Sequence, residues 1–340
     1  MELTEKRQIG PASLEVAPLG LGCSAFGEPF VRISDPDASA TLQAAWDAGI
    51  RFFDTAPYYG MGLSEHRVGA FLRNQPRDQY VISTKVGRVL RPQLRGSALR
   101  PSGWAGGLPF EDMFDFSYDG IMRAYEDSLQ RLGIPWVDCL VIHDLDQMFH
   151  SDPNVHANMT QLVTSGWRAL DELKRNGLVR AVGAGVNELK TIPRFLDSVP
   201  LDFFLLAMRY TLMEQDTLDE ELPRCEADGV GIVIGAVYNS GILATGSVEG
   251  AQYNYEDATP EVMEKVRRIQ AICGRHNVPL SAAALQFPFG HPSVVSVIPG
   301  AFKPEHIAAS LNAFRHPVPA ELWSELKGDG LLRDDAPTPG

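Results

Sequence analysis

The chain has 340 residues, 44% of them apolar, and its 43 acidic side chains outnumber 30 Lys and Arg to give a formal net charge of −13. That balance argues against nucleic acid or an anionic membrane as partner, since both need a basic face. No apolar run approaches the roughly 20 residues of a membrane helix.

The first residues, Met1 to Arg7, lack the apolar core of a signal peptide. A hairpin is expected over about residues 5–16, closing the amino end of a barrel. Short apolar segments then recur at 17–22, 51–54, 80–85, 136–142, 178–184, 201–206, 230–235 and 294–298. Amphipathic helices are expected near 37–48, 64–73, 118–132, 163–176, 188–197, 216–227 and 304–313. Residues 260–289 read as two helices broken at Asn277-Val278-Pro279. This alternation predicts parallel strands covered by helices, an α/β fold. Eight strands close a (β/α)8 TIM barrel, for which about 250 residues plus insertions suffice, so one domain over 1–340 is expected. No period of a few tens of residues repeats, which argues against a solenoid. The tail 331–340 reads as disordered.

Two connections exceed ordinary turns. Residues 86–117 carry Arg88, Arg91, Arg95 and Arg100, then Trp104, Phe110, Phe114 and Phe116; residues 144–162 carry Asp144, Asp146, His150 and His156. Loops of this length in a compact domain are usually functional or disordered. Both leave the carboxyl-end face, so they are expected either to shape a substrate pocket as lids or to be pinned to the barrel wall by their aromatics. Four cysteines (Cys23, Cys139, Cys225, Cys273) lie far apart with no Cys-x-x-Cys pair. They read as reduced structural thiols, in keeping with a cytoplasmic location.

Polar residues end several apolar strands. Asp54 closes 51–54 with Tyr59 five residues on, Lys85 closes 80–85, and His143 follows 136–142. In one parallel barrel these four converge on the carboxyl-end face, where such barrels keep their chemistry. A phenol titrates near ~10 and is a poor base at neutral pH. A neighbouring ammonium lowers that value, so Lys85, held by Asp54, would make Tyr59 a usable acid or base, with His143 orienting the substrate oxygen. None of these groups carries a hydride, so redox work would need a nicotinamide. A barrel metallohydrolase would also use strand-end His and Asp. Yet Gly22-Cys23-Ser24 stands where an opening His-x-His would be, and His143, Asp144, Asp146, His150 and His156 give no closed ligand set, so no metal is expected.

The run Asp54-Thr55-Ala56-Pro57-Tyr58-Tyr59-Gly60-Met61-Gly62-Leu63-Ser64-Glu65 resembles the aldo-keto reductase motif Asp-Thr-Ala-x-x-Tyr-Gly-x-Gly-x-Ser-Glu without departure. The resemblance covers roughly residues 8–315. It implies a catalytic tetrad of Asp54, Tyr59, Lys85 and His143 and a bound NAD or NADP. That cofactor would sit without a dinucleotide fingerprint, and Gly20-Leu21-Gly22-Cys23-Ser24-Ala25 indeed lacks the last glycine of one. By the same resemblance Asn187 holds the carboxamide, Tyr210 after strand 6 contacts the cofactor, Asn239, Ser240, Gly241 and Leu243 form the pyrophosphate loop, and Gly300 and Lys303 after strand 8 are further cofactor contacts. Tyr238 is the aromatic proposed to stack on the nicotinamide. After strand 8 the family's NADP users carry Lys-Ser and an Arg; here those positions are Gly300, Ala301 and His306, with Lys303 nearby. A phosphate wants cationic, fork-like partners, so the resemblance implies NAD in preference to NADP. The helix near Pro304 could offer its N-terminus to the phosphates.

Within the family, the segments 209–215 and 239–244 look most like the bacterial sugar 1-dehydrogenases of the L-fucose or D-threo-aldose type and pyridoxal 4-dehydrogenase. The expected reaction is oxidation of a cyclic hemiacetal, of an aldose or of pyridoxal, to a lactone. Reduction of aldehydes or ketones with NADPH is the alternative. A non-catalytic nicotinamide-binding subunit, like the family's channel-associated members, is disfavoured because the tetrad is intact.

Overall fold

A computed structural model describes residues 1–95 and 103–340. The hairpin at the start is β1 (Arg7–Gln8) paired antiparallel with β2 (Glu15–Val16). Next come β3 (Leu21–Gly22), β4 (Phe52–Asp54) and β5 (Val81–Val86). A second hairpin, β6 (Arg88–Pro92) with β7 (Phe110–Phe114), lies inside the long loop after β5. The chain continues through β8 (Cys139–His143), β9 (Ala181–Val186), β10 (Phe203–Ala207) and β11 (Gly231–Gly235). A third hairpin, β12 (Gln252–Tyr253) with β13 (Glu256–Asp257), precedes the last strand, β14 (Val294–Ile298).

The eight-stranded sheet runs β14-β11-β10-β9-β8-β5-β4-β3, and all its pairings are parallel. Parallel bridges Leu19↔Val297 and Gly22↔Gly300 join the two ends, so the sheet closes into the expected barrel. Inside, Phe52, Cys139, Val141, Phe203, Leu205, Val233 and Ile298 fill the lumen. Ile9, Leu14 and Val16 of the first hairpin join that cluster and plug the amino end. A second, larger cluster packs the helices on the outside of the sheet. Strands buried on both faces read as continuous apolar runs, which is why the sequence shows them without alternation.

Helix bounds follow the amphipathic pattern with local changes. The stretch expected as one helix over 163–176 is a π-turn, Leu162–Gly166, leading into Trp167–Arg175. An additional helix, Asp152–Gln161, occupies most of the connection after β8, starting at Ser151 with Pro153 in its first turn. Residues 260–289 divide as expected into Pro260–Arg275 and Leu280–Gln286, and a further helix spans Ala320–Gly328. The expectation of a disordered tail is corrected. Leu331, Leu332 and Ala336 are buried, and Arg333 donates to Asp219 Oδ1 at 2.6 Å and Asp335 Oδ2 at 2.8 Å. Pro and Asp made the segment look unstructured, but its three apolar side chains find cover. All four cysteines are buried free thiols, and no helix among the described residues is long and apolar enough to cross a membrane.

Candidate active site

Tyr59 sits in the turn between β4 and the helix Leu63–Leu72, and most of its surrounding motif holds that turn rigid. Ser64 Oγ donates to Cys23 O at 2.7 Å and lies 2.9 Å from Thr55 Oγ1. Glu65, fully buried, accepts from Thr84 Oγ1 at 2.6 Å and from Arg131 Nε at 2.5 Å. Gly60 adopts a left-handed φ of 62°, and a Cβ there would stand 2.5 Å from Gly27 O. The turn can therefore press against the Cys23–Gly27 segment only because both positions are glycine.

The four residues expected to converge do so. Lys85 Nζ donates to Asp54 Oδ2 at 2.6 Å and to Thr55 O at 2.9 Å, and Ser83 Oγ donates to Asp54 Oδ1. Asp54 and Lys85 are 2% and 1% exposed, so this ion pair is cut off from water and fully hydrogen-bonded on one side by the barrel wall. The ammonium lies 4.6 Å from the centre of the half-buried Tyr59 ring. His143 meets the same ring edge-on at 5.8 Å. His143 Nε2 is 3.3 Å from Asp144 Oδ2, while Nδ1 is buried without a partner among the described residues. A proton on Nδ1 would be a buried unsatisfied donor, so the Nε2–H tautomer is favoured.

Burial first, then the Asp54 and Asp144 carboxylates, push the Tyr59 phenol well above its usual 10. This differs from the expectation that Lys85 would lower it. Asp54 neutralises the ammonium, and desolvation of a phenolate then dominates. Burial, aided by Lys85 and Arg88, holds His143 well below 6.5, so the imidazole is neutral. Burial likewise raises the Asp144 carboxyl to about 6, against the pull of Arg88.

A cavity of about 790 Å³ opens over these groups. On one side it is lined by Phe30, Tyr58, Trp104, Met148 and Phe149. Both long loops therefore contribute to the wall, and rings tie them together: Phe114 and Phe116 meet His150 at 4.0 and 6.3 Å, while Leu108 N donates to Gly60 O at 2.9 Å. Arg100 lies outside the described residues. Arg88, which the sequence marked only as one of several loop arginines, is buried behind this wall. It lies 3.8 Å from the Tyr58 ring and 4.2 Å from the Phe114 ring, with its fork bonded to Asp112 Oδ2 at 2.5 Å and Asp144 Oδ2 at 2.8 Å. The roles of Arg88 and Asp144 escape a reading of the sequence because they pair across 56 positions.

On the other side the cavity reaches Asn187, Tyr238, Ser240, Gly241 and Gly300. Asn187 Nδ2 donates to Asp144 Oδ1 and Asp146 Oδ2, both at 3.1 Å. The β12–β13 hairpin, absent from the sequence reading, brings Tyr255 to the rim, with Tyr255 N donating to Ser240 Oγ at 2.9 Å. Four expected cofactor residues do not line the cavity. Tyr210 is fully buried in the outer cluster, its ring centre 5.2 Å from that of Phe287. Leu243 is core, Asn239 is buried with Nδ2 3.4 Å from Met208 O, and Lys303 precedes the helix Pro304–Arg315 outside the lining. Of the histidines and acids weighed as metal ligands, Asp146 is spent on Asn187 and His150 on Asn158. Among the described residues no group of three or more His, Cys, Asp or Glu is arranged to hold a metal ion.

Comparison with known proteins agrees with this geometry. The family model for the aldo/keto reductase family matches residues 18–328. Pyridoxal 4-dehydrogenase of Microbacterium luteolum is 41% identical over 340 residues, covering 98% of this chain and 99% of the relative. D-threo-aldose 1-dehydrogenase of a Pseudomonas species is 39% identical, covering 96% and 97%. Among solved structures, a glycerol dehydrogenase from Gluconobacter oxydans superposes with a TM-score of 0.75 at 20% identity, over 100% of this chain and 98% of its own, which speaks to the fold alone. The chain belongs to the aldo/keto reductase family, oxidoreductases whose dehydrogenases use nicotinamide cofactors.

Proposed function

We propose that this protein is an NAD-linked dehydrogenase that oxidises the hemiacetal carbon of a cyclic aldose or of pyridoxal to a lactone. The observation that carries the reading is the buried Asp54–Lys85 pair beneath Tyr59, with neutral His143 beside the same ring. Two relatives of near-equal length are named for oxidation at position 4 of pyridoxal and position 1 of an aldose. In both molecules the aldehyde carbon becomes a ring carbon bearing a hydroxyl and an ether oxygen on cyclisation.

Tyr59 takes the hydroxyl proton as the carbon–hydrogen bond breaks, and the Nε2–H of His143 holds the same oxygen in place. Asp54 holds the Lys85 side chain in place beside the Tyr59 ring. A bound nicotinamide supplies the acceptor for the hydride, and the ring oxygen's lone pair assists its departure. Asn187 fits such a ring, because its Nδ2 is committed to two carboxylates and its Oδ1 accepts no bond from the described residues. Tyr238, Ser240, Gly241 and Gly300 line the same cavity and would hold the rest of the cofactor.

Preference for NAD rests on the loop after β14. Gly300 and Ala301 offer no charge, and His306 Nδ1 accepts from Phe302 N at 3.2 Å inside its own loop. Lys303 is the single cation in 299–306, beside Glu305. The second reading, reduction of aldehydes, draws on the raised Tyr59 pKa, since a protonated phenol suits proton donation to a carbonyl. A screen of NAD(H) and NADP(H) against aldoses, pyridoxal and open-chain aldehydes in both directions separates them. The proposal expects the highest kcat/KM with NAD and a hemiacetal. Rapid reduction of simple aldehydes with NADPH, and no oxidation of any hemiacetal, would favour the second.

A further inference from the structure

We propose that Asp144 is a specificity-determining residue: its carboxylate accepts a hydrogen bond from a hydroxyl on the carbon next to the reacting one. The site would thereby select vicinally hydroxylated substrates, the sugar class. This deepens the functional reading and rests on the cavity being the substrate site.

Asp144 follows β8 directly with a left-handed φ of 53°, a conformation that Asp tolerates better than most residues. It lines the cavity and is 5% exposed. Oδ2 accepts from Arg88 Nη2 at 2.8 Å and lies 3.3 Å from His143 Nε2; Oδ1 accepts from Asn187 Nδ2 at 3.1 Å. An ionised carboxyl offers about four acceptor positions, so one remains for a ligand. The nitrogen that would hold the reacting oxygen, His143 Nε2, is the one beside Asp144. An oxygen on the neighbouring carbon therefore comes to the carboxylate without any further movement of the chain.

The other carboxylates of the cavity do not compete for this position. Asp54 is spent on Lys85 and Ser83, and Glu256 stands exposed on the β12–β13 hairpin. The remaining wall of the substrate half, Phe30, Trp104, Met148 and Phe149, offers chiefly aromatic and thioether surface. Arg88, fixed among the Tyr58, Phe114 and Phe149 rings, balances the charge of Asp144 from behind and holds it rigid. A site built to pair with a hydroxyl discriminates strongly against an analogue lacking it, because the buried group is then left unmatched.

The test compares kcat/KM within two pairs: an aldose against its 2-deoxy counterpart in oxidation, and glycolaldehyde against acetaldehyde in reduction, each with the cofactor that supports turnover. The wild-type enzyme should favour the hydroxylated member by on the order of 10–100-fold, the worth of one hydrogen bond to a charged group. In Asp144→Asn that ratio should fall toward one. Asp144→Glu, which keeps the charge but displaces the oxygens by a methylene, carries the same expectation should the Asn variant fail to fold. A wild-type ratio near one, a ratio unchanged in the folded variants, or no turnover of any of the four substrates overturns the proposal. If neither sugar is oxidised while the aldehydes are reduced, the hemiacetal reading fails alone, and the aldehyde pair still decides the role of Asp144.

Discussion

Tyr59 is asked to be a base in a setting that holds its proton. With the phenol raised well above 10 by burial and by Asp54 and Asp144, the deprotonated fraction is small at neutral pH and grows tenfold with each unit of pH. The rate of oxidation should therefore climb through the neutral and mildly alkaline range, which a pH–kcat/KM profile will reveal; a plateau from pH 7 upward would contradict it. His143, lowered well below 6.5, should add no inflection between about 7 and 8. Replacing Tyr59 by Phe should cut turnover by roughly 10²–10⁴ while cofactor binding, followed by fluorescence titration, stays intact. Lys85→Met should disable turnover too. It also strands Asp54 in the core, a loss of about 3–5 kcal/mol readable by denaturant unfolding. The convergence of Asp54, Lys85 and His143 was legible in the sequence because each ends an apolar strand, where a polar side chain is conspicuous, and Tyr59 because it lies in the motif that follows Asp54. Asp144 and Arg88 were not, since only the fold brings the two together.

The elements that carry the site were legible as far as their hydrophobicity was continuous. All eight barrel strands stand out as apolar runs, and the two-residue β3 is the one that shrinks most from its expected span. The second and third hairpins were hidden for different reasons. The β6–β7 pair has Arg88, Arg91, Glu111 and Asp112 in its strands, and the connection between them is too long to read as a hairpin turn. The β12–β13 pair is two residues a side, turned by Asn254 and Tyr255 at φ of 51° and 69°, a conformation unusual for Tyr. Gly87 shows how tightly the first of these is set. It has a φ of 92°, and a Cβ there would stand 2.3 Å from the Phe116 ring. Gly87→Ala should thus destabilise by about 1 kcal/mol or more and shift Arg88 with it. The expected signature is a lowered Tm with a larger fall in kcat/KM than in cofactor affinity. An unchanged Tm would show that the junction yields.

At the scale of the whole molecule, the family's barrel is closed at the amino end by the β1–β2 hairpin and tied at its carboxyl terminus by a tail that composition alone made look loose. Burial of Leu331 and Leu332 can be measured: Ala at either position should cost about 2–5 kcal/mol, whereas a disordered tail would give no change. The proposed preference for NAD rests on a shortage of cations after β14, where Lys303 stands alone in 299–306, because recognition of a phosphate depends on which side chains reach it. The central claim is that carbon-bound hydrogen leaves a hemiacetal for NAD while Tyr59 takes the hydroxyl proton. Its most direct test is incubation of L-fucose carrying deuterium at the hemiacetal carbon with NAD, analysing both products by mass spectrometry. The account predicts one lactone for each deuterium found in the reduced nicotinamide, and loss of both in Tyr59→Phe. Lactone without deuterium in the cofactor, or the same yield from the Phe variant, would contradict it.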